Sequence, residues 1–471
     1  MIDPQEGDRR HLTGDEIASL IAIVGERNLA LEREDLEAYS RDGTQGLSGW
    51  PAALARAGST AEVASLLAFC NGRRIPVTPQ GGRTSLSGGA IPVMGGVALS
   101  LERLNRILEI DEENGVAVVE AGVITQTLQE AVEALGLYYP PDPGSRGSCT
   151  IGGNVAENAG GPHSAKYGVT SHWVLGLEAV FAGGDVVVTG GKTRKDVAGY
   201  DLTGLLVGSE GTLAVVTKAW LRLVPKPVSY GTLVAPFPTL HAAARAVVEI
   251  TRRRLVPAAL EFIDRPAMEV SSVRKGVGVP FPEAEARLLV EFDGGGEAEV
   301  ERDVEAAGGI ALDCGAIDVV LSTDEAKRRL LWEVRRGIGD AVRDLGPSVE
   351  LDLAVPRTEL AALVEGVRRI GYAAELRVVV FGHAADGNLH VHLFHERESK
   401  GDRARFQATV GAVYAEAIRL GGTVTAEHGV GLTSRDYLPV LRSPAYLEVL
   451  RAIKSALDPN GILNPGKLLR P

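Results

Sequence analysis

Three histidines lie close together in a segment with strand-like alternation. Residues 378–392 have the sequence V-V-V-F-G-H-A-A-D-G-N-L-H-V-H, which contains His383, His390 and His392. The Asp386–Gly387 pair lies between two apolar runs, which is the strongest short signal for a β-hairpin. If this pair is a two-residue loop, His383 faces His390 across the hairpin and His392 lies on the same face. Opposed imidazoles, with Cβ atoms about 4.5–5.5 Å apart, could chelate a divalent metal.

A third ligand is available in the later segment A-E-H-G-V-G, where Glu427 precedes His428. One carboxylate and two histidines suit Zn²⁺, Mn²⁺ or Fe²⁺. His428 would lie near the metal and be free to act as a general base. A single buried histidine is more commonly a hydrogen-bonded core residue, but four polar residues in this arrangement favour a metal site.

Two glycine-rich segments could hold an anion. Four of the nine residues Gly81–Gly89 are glycine, and they follow a predicted strand. Small residues let successive amides converge on phosphate oxygens. The spacing excludes both a P-loop and a GxGxxG turn, and a plain surface turn is the alternative. The second segment, residues 142–161, offers hydroxyls, amides and N–H groups with little apolar content, so it requires a ligand or another explanation.

The overall composition narrows the class of protein. The chain has 471 residues, 49 Lys and Arg against 61 Asp and Glu, and a net charge of −12, so it lacks the basic clusters of nucleic-acid binding. Three cysteines without ligand spacing disfavour disulfides, zinc–thiolate sites and iron–sulfur clusters. The polar N-terminus and the lack of long apolar runs favour a cytoplasmic protein, with peripheral membrane contact left open.

Several motifs resemble the FAD-binding domain shared by vanillyl-alcohol oxidase and p-cresol methylhydroxylase (PCMH). They are P-x-G-G-x-T-x-x-S-G-G at Pro79–Gly89, T-I-G-G-N at Thr150–Asn154, G-S-E-G-T-L at residues 208–213, and D-P-N-G-I-L-N-P-G-K at residues 458–467. The resemblance implies bound FAD, with Asn464 near the isoalloxazine edge. Because the second loop has no histidine before His163, we expect the FAD to be non-covalent. The implied FAD-binding residues are Pro79, Gly81, Gly82, Arg83, Thr84, Ser85, Asp142, Pro143, Gly147, Ser148, Thr150, Gly153, Asn154, Gly160, Gly161, Glu210, Gly211, Val215 and Asn464.

The expected fold class is α+β, with a two-subdomain PCMH-type FAD-binding domain and an α+β substrate (cap) domain that contains an antiparallel sheet. Pro225–Lys226–Pro227 marks the boundary, after which helical segments alternate with strands. We expect a helical extension over residues 1–45, the FAD-binding domain over 46–225, the cap domain over 226–440, and a segment over 441–471 that returns to the FAD domain.

The histidine motifs sharpen the resemblance. G-H-x-x-D-G-N-x-H followed by E-H-G-x-G resembles the FAD-linked 2-hydroxyacid dehydrogenases, namely D-lactate dehydrogenase, D-2-hydroxyglutarate dehydrogenase and the flavin subunit of glycolate oxidase. That resemblance implies a metal on His383, His390 and Glu427, and a catalytic base at His428. It also assigns the substrate carboxylate to Arg335 in the segment W-x-x-R, and an arginine fork matches a carboxylate well.

Four positions depart from the family pattern. Ala385 and Arg83 stand where glycine is usual, and Ser434 stands where lysine is frequent. Dicarboxylate enzymes of the family tend to have a lysine near the position of Glu350, which favours a monocarboxylate substrate here. None of these departures removes a proposed ligand or base.

The predicted function is FAD-dependent oxidation of a D-2-hydroxy acid, such as D-lactate or glycolate, to the 2-oxo acid. It involves metal-assisted activation of the hydroxyl and hydride transfer to flavin N5. The alternatives are a D-2-hydroxyglutarate dehydrogenase, a transferase like alkylglycerone-phosphate synthase, and a non-catalytic flavin subunit. Expected partners are the small substrate, an electron acceptor (a quinone, cytochrome, electron-transfer flavoprotein or partner subunit) and a second copy in a homodimer.

Overall fold

The computed structural model describes residues 10–276, 278, 279, 281–322, 324–394 and 400–470. They form two compact units. The first contains the described parts of Met1–Gly160, Val169–Lys226 and Glu427–Pro471, and the second contains those of Gly161–Gly168 and Pro227–Ala426. The short segment 161–168 therefore belongs to the second unit although its sequence neighbours on both sides belong to the first.

The chain alternates between helices and strands throughout. The helices are α1 (Gly14–Val24), α2 (Arg33–Glu37), α3 (Thr60–Arg73), α4 (Thr125–Glu133), α5 (Ile151–Glu157), α6 (Ser164–Tyr167), α7 (Leu202–Leu206), α8 (Leu240–Arg252), α9 (Arg265–Lys275), α10 (Glu297–Asp313), α11 (Glu325–Asp344), α12 (Leu360–Ala373), α13 (Lys400–Arg419), α14 (Leu438–Leu441) and α15 (Pro444–Leu457). The strands are β1 (Leu29–Ala30), β2 (Ala53–Arg56), β3 (Val77–Gln80), β4 (Val97–Ser100), β5 (Ile107–Asp111), β6 (Val116–Glu120), β7 (Leu137–Tyr138), β8 (Val174–Val180), β9 (Val186–Val188), β10 (Val215–Arg222), β11 (Val224–Pro225), β12 (Ser229–Phe237), β13 (Ala259–Asp264), β14 (Ala286–Gly294), β15 (Val320–Ser322), β16 (Ser348–Ala354), β17 (Val378–His383) and β18 (Asn388–Phe394).

The first unit contains two larger sheets. One has the strand order β1-β2-β4-β3, with β2, β4 and β3 parallel, and the other is antiparallel with the order β5-β6-β10-β8-β9. Late residues complete the first sheet, because the Val77 amide donates to the Ile462 carbonyl at 2.8 Å and the Asn464 amide donates to the Val77 carbonyl at 2.8 Å. The late segment is therefore an integral part of this unit.

The second unit is built on one antiparallel sheet with the strand order β15-β12-β14-β13-β17-β18-β16. Helix α8 begins after Thr239, whose hydroxyl accepts a hydrogen bond from the Ala242 amide and so caps the helix. Helices α9 and α11 contribute Ala267, Ile338 and Val342 to a buried cluster with β17. These helices and antiparallel strands confirm the predicted α+β class.

The hairpin of β17 and β18 has a different turn from the predicted one. His383 is the cross-strand partner of Asn388, and His390 is the partner of Phe381. The connection is a 3₁₀ turn over Ala384–Asp386, followed by Gly387 with a φ of 73°. The prediction that His383 and His390 face each other directly is therefore wrong, since the loop is longer than Asp386–Gly387.

Helices long and apolar enough to span a bilayer do not occur in the described part of the chain.

Candidate functional site

The two predicted glycine loops lie against each other in the first unit. A Cβ atom on Gly81 would lie 2.3 Å from Thr150 Oγ1, and one on Gly82 would lie 2.2 Å from the Ser148 carbonyl oxygen. Both distances are far below van der Waals contact. Glycine at these positions therefore allows the loop after β3 to pack on the loop before α5.

The first loop has backbone donors available for a ligand. Across residues 10–276 and the other described ranges, no acceptor is found for the amide N–H groups of residues 81–86. Arg83 has a φ of 56°, in the left-handed region, which explains why glycine is usual there. Its guanidinium lies over the Tyr39 ring, 4.2 Å from the centroid. Unpaired amides around a left-handed residue form a concave anion site, which fits the pyrophosphate of FAD.

The second loop uses its polar groups mainly to hold the protein together. Thr150 caps α5 by accepting a hydrogen bond from the Gly153 amide, and the Asn154 side chain donates to Thr125 Oγ1 at 2.7 Å. The Arg146 amide donates to the Pro143 carbonyl at 2.8 Å, and Asp142 is buried. Gly147 lies in the same turn region. Gly160 ends the first-unit part of the segment, and Gly161 opens the part that belongs to the second unit.

Glu210 and Asn464 are joined by a network of hydrogen bonds. The Glu210 carboxylate accepts from the Val430 amide at 2.8 Å and the Gly431 amide at 2.7 Å. The Asn464 side-chain amide donates to the backbone carbonyls of Gly89 and Glu210, at 2.9 and 2.8 Å. Asn464 Oδ1 is buried and has no partner among the residues described. That oxygen can accept a hydrogen bond from a flavin ring N–H, whereas the Glu210 carboxylate is occupied by the protein.

Two other predicted flavin residues in this region occupy different environments. Val215 is 1% exposed and lies in the hydrophobic core of the first unit. Gly211 has a φ of 65°, which a residue with a side chain rarely adopts.

A group of buried charged side chains near these loops was missed by sequence analysis. Burial, with the nearby carboxylates of Glu210 and Asp42, raises the pKa of Glu157 well above its ordinary value. Burial lowers the pKa of Lys467 to about 7, and its ammonium group donates to the Ile91 carbonyl. Lys467 ends the D-P-N-G-I-L-N-P-G-K motif and Glu157 lies in the second glycine-rich segment, but the burial that shifts their pKa values depends on the tertiary structure.

The second unit presents its predicted histidines on one face of the sheet. The rings of His383 and His390 are 5.3 Å apart between centroids, edge to face, and the His392 ring stacks on Phe381 at 5.4 Å. His390 Nδ1 lies 3.6 Å from Glu350 Oε1. The structure therefore brings the two predicted metal-binding imidazoles together. The two histidines are diagonal neighbours across the hairpin and not direct cross-strand partners.

Glu261 on β13 joins two of the predicted site residues and was not identified from the sequence. Its Oε1 atom lies 2.7 Å from His383 Nδ1, and its other oxygen forms an ion pair with Arg335. Burial alone would raise the pKa of Glu261, but the charges of Arg335 and His383 hold it below the ordinary value. The carboxylate is therefore ionised at neutral pH.

Arg335 lies on α11 and is 6% exposed. Its guanidinium carbon is 5.0 Å from the Phe381 ring centroid. Its Nε atom is buried and donates to no group in the described ranges. The predicted role of Arg335 would use this edge of the guanidinium for the substrate carboxylate.

The segment that leads to Glu427 is held by Asp352. One carboxylate oxygen of Asp352 accepts from Thr425 Oγ1 at 2.9 Å and from the Ala426 amide at 2.7 Å, and the other accepts from the Asn388 side chain at 2.7 Å. Glu427 follows Ala426 directly and opens the last segment of the first unit. There, Glu427 Oε1 lies 3.4 Å from His428 Nε2.

The second unit contains donor types that divalent metals use, and among the described residues Asp352 and His390 belong to a group of potential ligand atoms that lie within 4.8 Å of one another, whereas His383 does not. Glu261 engages Nδ1 of His383, and Glu350 lies toward Nδ1 of His390. The Glu261 carboxylate on Nδ1 of His383 fixes the tautomer of that ring and leaves its Nε2 as the nitrogen that could bind a metal. Imidazole nitrogens with carboxylate oxygens suit zinc, manganese or iron.

Comparison with protein families matches most of the chain. Residues 226–468 match the family described as FAD linked oxidases, C-terminal domain, and residues 51–190 match the FAD binding domain. The chain is 42% identical to glycolate oxidase subunit GlcD of Bacillus subtilis over 97% of both proteins. It is 41% identical to D-lactate dehydrogenase of Archaeoglobus fulgidus, over 87% of this chain and 89% of the relative. D-2-hydroxyglutarate dehydrogenase of Xanthomonas citri is 36% identical over 97% of both.

Solved structures share the fold at low sequence identity. P-cresol methylhydroxylase superposes with a TM-score of 0.80 and 18% identity over 98% of both chains. Alkyldihydroxyacetonephosphate synthase superposes with a TM-score of 0.76 and 17% identity, over 97% of this chain and 86% of that one. These likenesses confirm the predicted PCMH-type fold and say nothing about the reaction. Together with the family matches and the curated relatives, they show that the chain belongs to the FAD-linked oxidases, the family that includes D-lactate dehydrogenase, the glycolate oxidase flavin subunit and D-2-hydroxyglutarate dehydrogenase.

Proposed function

We propose that this protein oxidises a D-2-hydroxy acid to the corresponding 2-oxo acid. The observation that carries the proposal is the buried group of His383, Glu261 and Arg335, in which one carboxylate joins the imidazole predicted to bind a metal to the guanidinium predicted to bind the substrate carboxylate. A 2-hydroxy acid needs both functions, one for its hydroxyl and one for its carboxylate. The relatives named for glycolate, D-lactate and D-2-hydroxyglutarate support the same substrate class.

The side chains have separate roles in this reaction. Arg335 holds the substrate carboxylate through its remaining N–H groups and so orients the C2 hydrogen. His428 takes the hydroxyl proton, since a neutral imidazole nitrogen can act as a general base. His383, His390 and Glu427 would hold a divalent metal, which lowers the pKa of a bound hydroxyl. FAD, held non-covalently, supplies the hydride acceptor at N5.

Glu350 favours a small monocarboxylate substrate. Its carboxylate lies 3.6 Å from His390 Nδ1 and 4.0 Å from His392 Nε2. A second substrate carboxylate that approached Glu350 would be repelled by its charge. D-Lactate and glycolate are therefore preferred over D-2-hydroxyglutarate in this proposal.

The electrons then leave to an external acceptor, for which a quinone, a cytochrome, an electron-transfer flavoprotein or a partner subunit are the candidate classes. A non-catalytic flavin subunit would not need the buried Glu261–Arg335 pair, since an ionised pair is costly to bury. The proposed protein is therefore the catalytic component.

Anaerobic bleaching of the flavin by a panel of D- and L-2-hydroxy acids tests the proposal. We expect rapid bleaching by one small D-acid, loss of bleaching after chelation, and recovery when Zn²⁺ or Mn²⁺ is returned. A yellow protein that no hydroxy acid reduces would contradict the proposed reaction. Bleaching that chelation does not affect would contradict the metal assignment alone.

A further inference from the structure

We propose that Glu261 is the positioning residue of the site, which sets the metal-binding edge of His383 and the orientation of Arg335 at the same time. This inference rests on the proposed function. It assigns a role to a residue that belongs to none of the sequence motifs, since β13 lies more than a hundred positions before the histidine hairpin.

The backbone register places Glu261 where it can reach both partners. Glu261 is the cross-strand partner of His383 in the antiparallel pair of β13 and β17. Directly paired side chains on one face of a sheet lie side by side. Its Oε1 atom is 2.7 Å from His383 Nδ1, and its Oε2 atom is the one paired with Arg335 of α11. One carboxylate therefore bridges a strand and a helix of the same unit.

The hydrogen bond to His383 decides which nitrogen can bind a metal. An ionised carboxylate accepts only, so Nδ1 must carry the proton. The lone pair then resides on Nε2, and the ring cannot rotate without losing its partner. A carboxylate behind a metal-binding histidine also makes the imidazole a stronger donor, and loss of such a partner lowers metal affinity about 10–100-fold.

The ion pair with Glu261 orients the Arg335 guanidinium and leaves some of its N–H groups available. Glu261 engages one end of the fork, while Nε remains without a partner in the described part of the chain. Phe381 lies against the guanidinium at 5.0 Å and limits its movement. The substrate carboxylate would therefore meet an arginine that is already in place.

The surroundings of Glu261 argue against a role in stability alone. Glu261 is 0% exposed, and its neighbours in β13 are Leu260 and Phe262. An isolated carboxylate in such a position is costly, and well-packed apolar residues often replace buried ion pairs without loss of stability. A function in the site accounts for the charge at this position.

Glu291 provides a matched control in the same sheet. It lies on β14, is 1% exposed, and its carboxylate also contacts a histidine and an arginine, His163 at 3.2 Å and Arg328 at 3.3 Å. Glu291 also accepts a hydrogen bond from Trp332 Nε1 at 2.6 Å, which glutamine can still accept, and it contacts neither Arg335 nor a predicted metal residue. Substitution of either residue disturbs a buried ion pair, but only one should disturb the site.

The experiment compares Glu261→Gln with Glu291→Gln in the FAD-loaded protein. Zn²⁺ affinity is measured by competition with a chromophoric chelator, and KM and kcat are measured with the best D-2-hydroxy acid. We expect Glu261→Gln to weaken Zn²⁺ binding about 10–100-fold and to raise KM, while Glu291→Gln changes neither by more than about twofold. Glu261→Asp, which keeps the charge but shortens the reach, should fall between wild type and Glu261→Gln.

Wild-type Zn²⁺ affinity and KM in a folded Glu261→Gln protein would overturn the inference while leaving the proposed function intact. Equal losses in the Glu291→Gln protein would also overturn it, because the effect would then be structural. If Glu261→Gln does not fold, Glu261→Asp and Glu291→Asp make the same comparison. Weakened Zn²⁺ binding in a protein that no hydroxy acid reduces would support the positioning role of Glu261 and contradict only the proposed reaction.

Discussion

The glycine loops of the first unit and the histidine face of the second differ in the chemical groups that they present. The loop over residues 81–86 offers backbone amides. The lack of a side chain at Gly81 and Gly82 lets these residues approach the neighbouring loop. The histidine face offers side chains, and His383 and Arg335 are each fixed by another side chain. One region therefore depends on backbone conformation, and the other depends on the identity of individual side chains.

This difference predicts that substitutions in the two regions will have separable effects. A change that moves the loops apart should remove the cofactor regardless of the chemistry of the new side chain. A change in the catalytic side chains should leave the cofactor bound and alter only the reaction.

The largest effect is expected for Gly82→Ala. A Cβ at this position would lie 2.2 Å from the Ser148 carbonyl oxygen, so the two loops must separate. We expect the purified protein to lose nearly all of its FAD, as measured by the flavin absorbance per chain. Gly72→Ala is the control, because a Cβ there meets nothing within 4 Å. Full FAD content in Gly82→Ala would show that the loop contact is not needed for binding.

His428→Asn should separate the chemistry from the cofactor. Loss of a general base slows proton transfer about 10²–10⁴-fold, so anaerobic flavin reduction by the substrate should slow by that factor. The FAD content should remain at the wild-type level. His172→Asn, at an exposed position of the first unit, serves as the control. Normal reduction in His428→Asn would refute the base assignment.

Glu350→Lys should shift the substrate preference by about tenfold. The substitution replaces a negative charge near His390 and His392 with a positive one, which would attract a second substrate carboxylate. We expect kcat/KM for D-2-hydroxyglutarate relative to D-lactate to rise, and Glu350→Gln to give a smaller rise. An unchanged ratio in both variants would place the distal end of the substrate elsewhere.

The last prediction concerns stability and a side chain within the backbone-dependent region. Burial lowers the pKa of Lys467 to about 7, below its value of about 10.4 in the unfolded chain. Between these values the unfolded state binds more protons, so this group makes the free energy of unfolding rise with pH by about 1.4 kcal/mol per pH unit.

Lys467→Met should remove that contribution. The difference in unfolding free energy between wild type and Lys467→Met, measured by urea denaturation from pH 7 to 9, should therefore grow with pH in favour of wild type. Lys192→Met, on an exposed loop, should show no such trend in this range. A constant difference for Lys467→Met would mean that the buried lysine keeps its proton throughout.

The sequence predicts the histidine face correctly although the predicted turn is wrong. The observed connection moves the partner of His383 from His390 to Asn388. Because side chains alternate with a period of two, a shift of two residues keeps both histidines on the same face. The actual turn depends on a distant contact, since a Cβ on Gly387 would lie 2.0 Å from the Val355 carbonyl oxygen. Local residues can indicate a hairpin, but distant contacts of this kind determine the length of its loop.

Other parts of the site could not be predicted because they depend on long-range pairing. Glu261 and His383 are 122 positions apart and meet only because β13 pairs with β17. The sequence shows the motif that contains Glu210. The Glu210 carboxylate, however, accepts hydrogen bonds from the amides of Val430 and Gly431, which lie more than two hundred positions away. Motifs therefore identified the glycine loops and the histidines, while the residues that hold them in place required the tertiary structure.

The hydrogen bond from Asn464 to the Gly89 carbonyl has a consequence for the timing of biosynthesis. The two residues are 375 positions apart, and ribosomes add about 5–20 residues per second, so about 20–75 seconds pass between the synthesis of Gly89 and that of Asn464. During that interval the whole of residues 227–426 is translated. The first unit is therefore completed last although it begins first, and a nascent chain stalled before residue 463 would lack Leu463, the bridge partner of Val77. Flavin capture with a completed site is consequently a late event, which follows synthesis of the second unit.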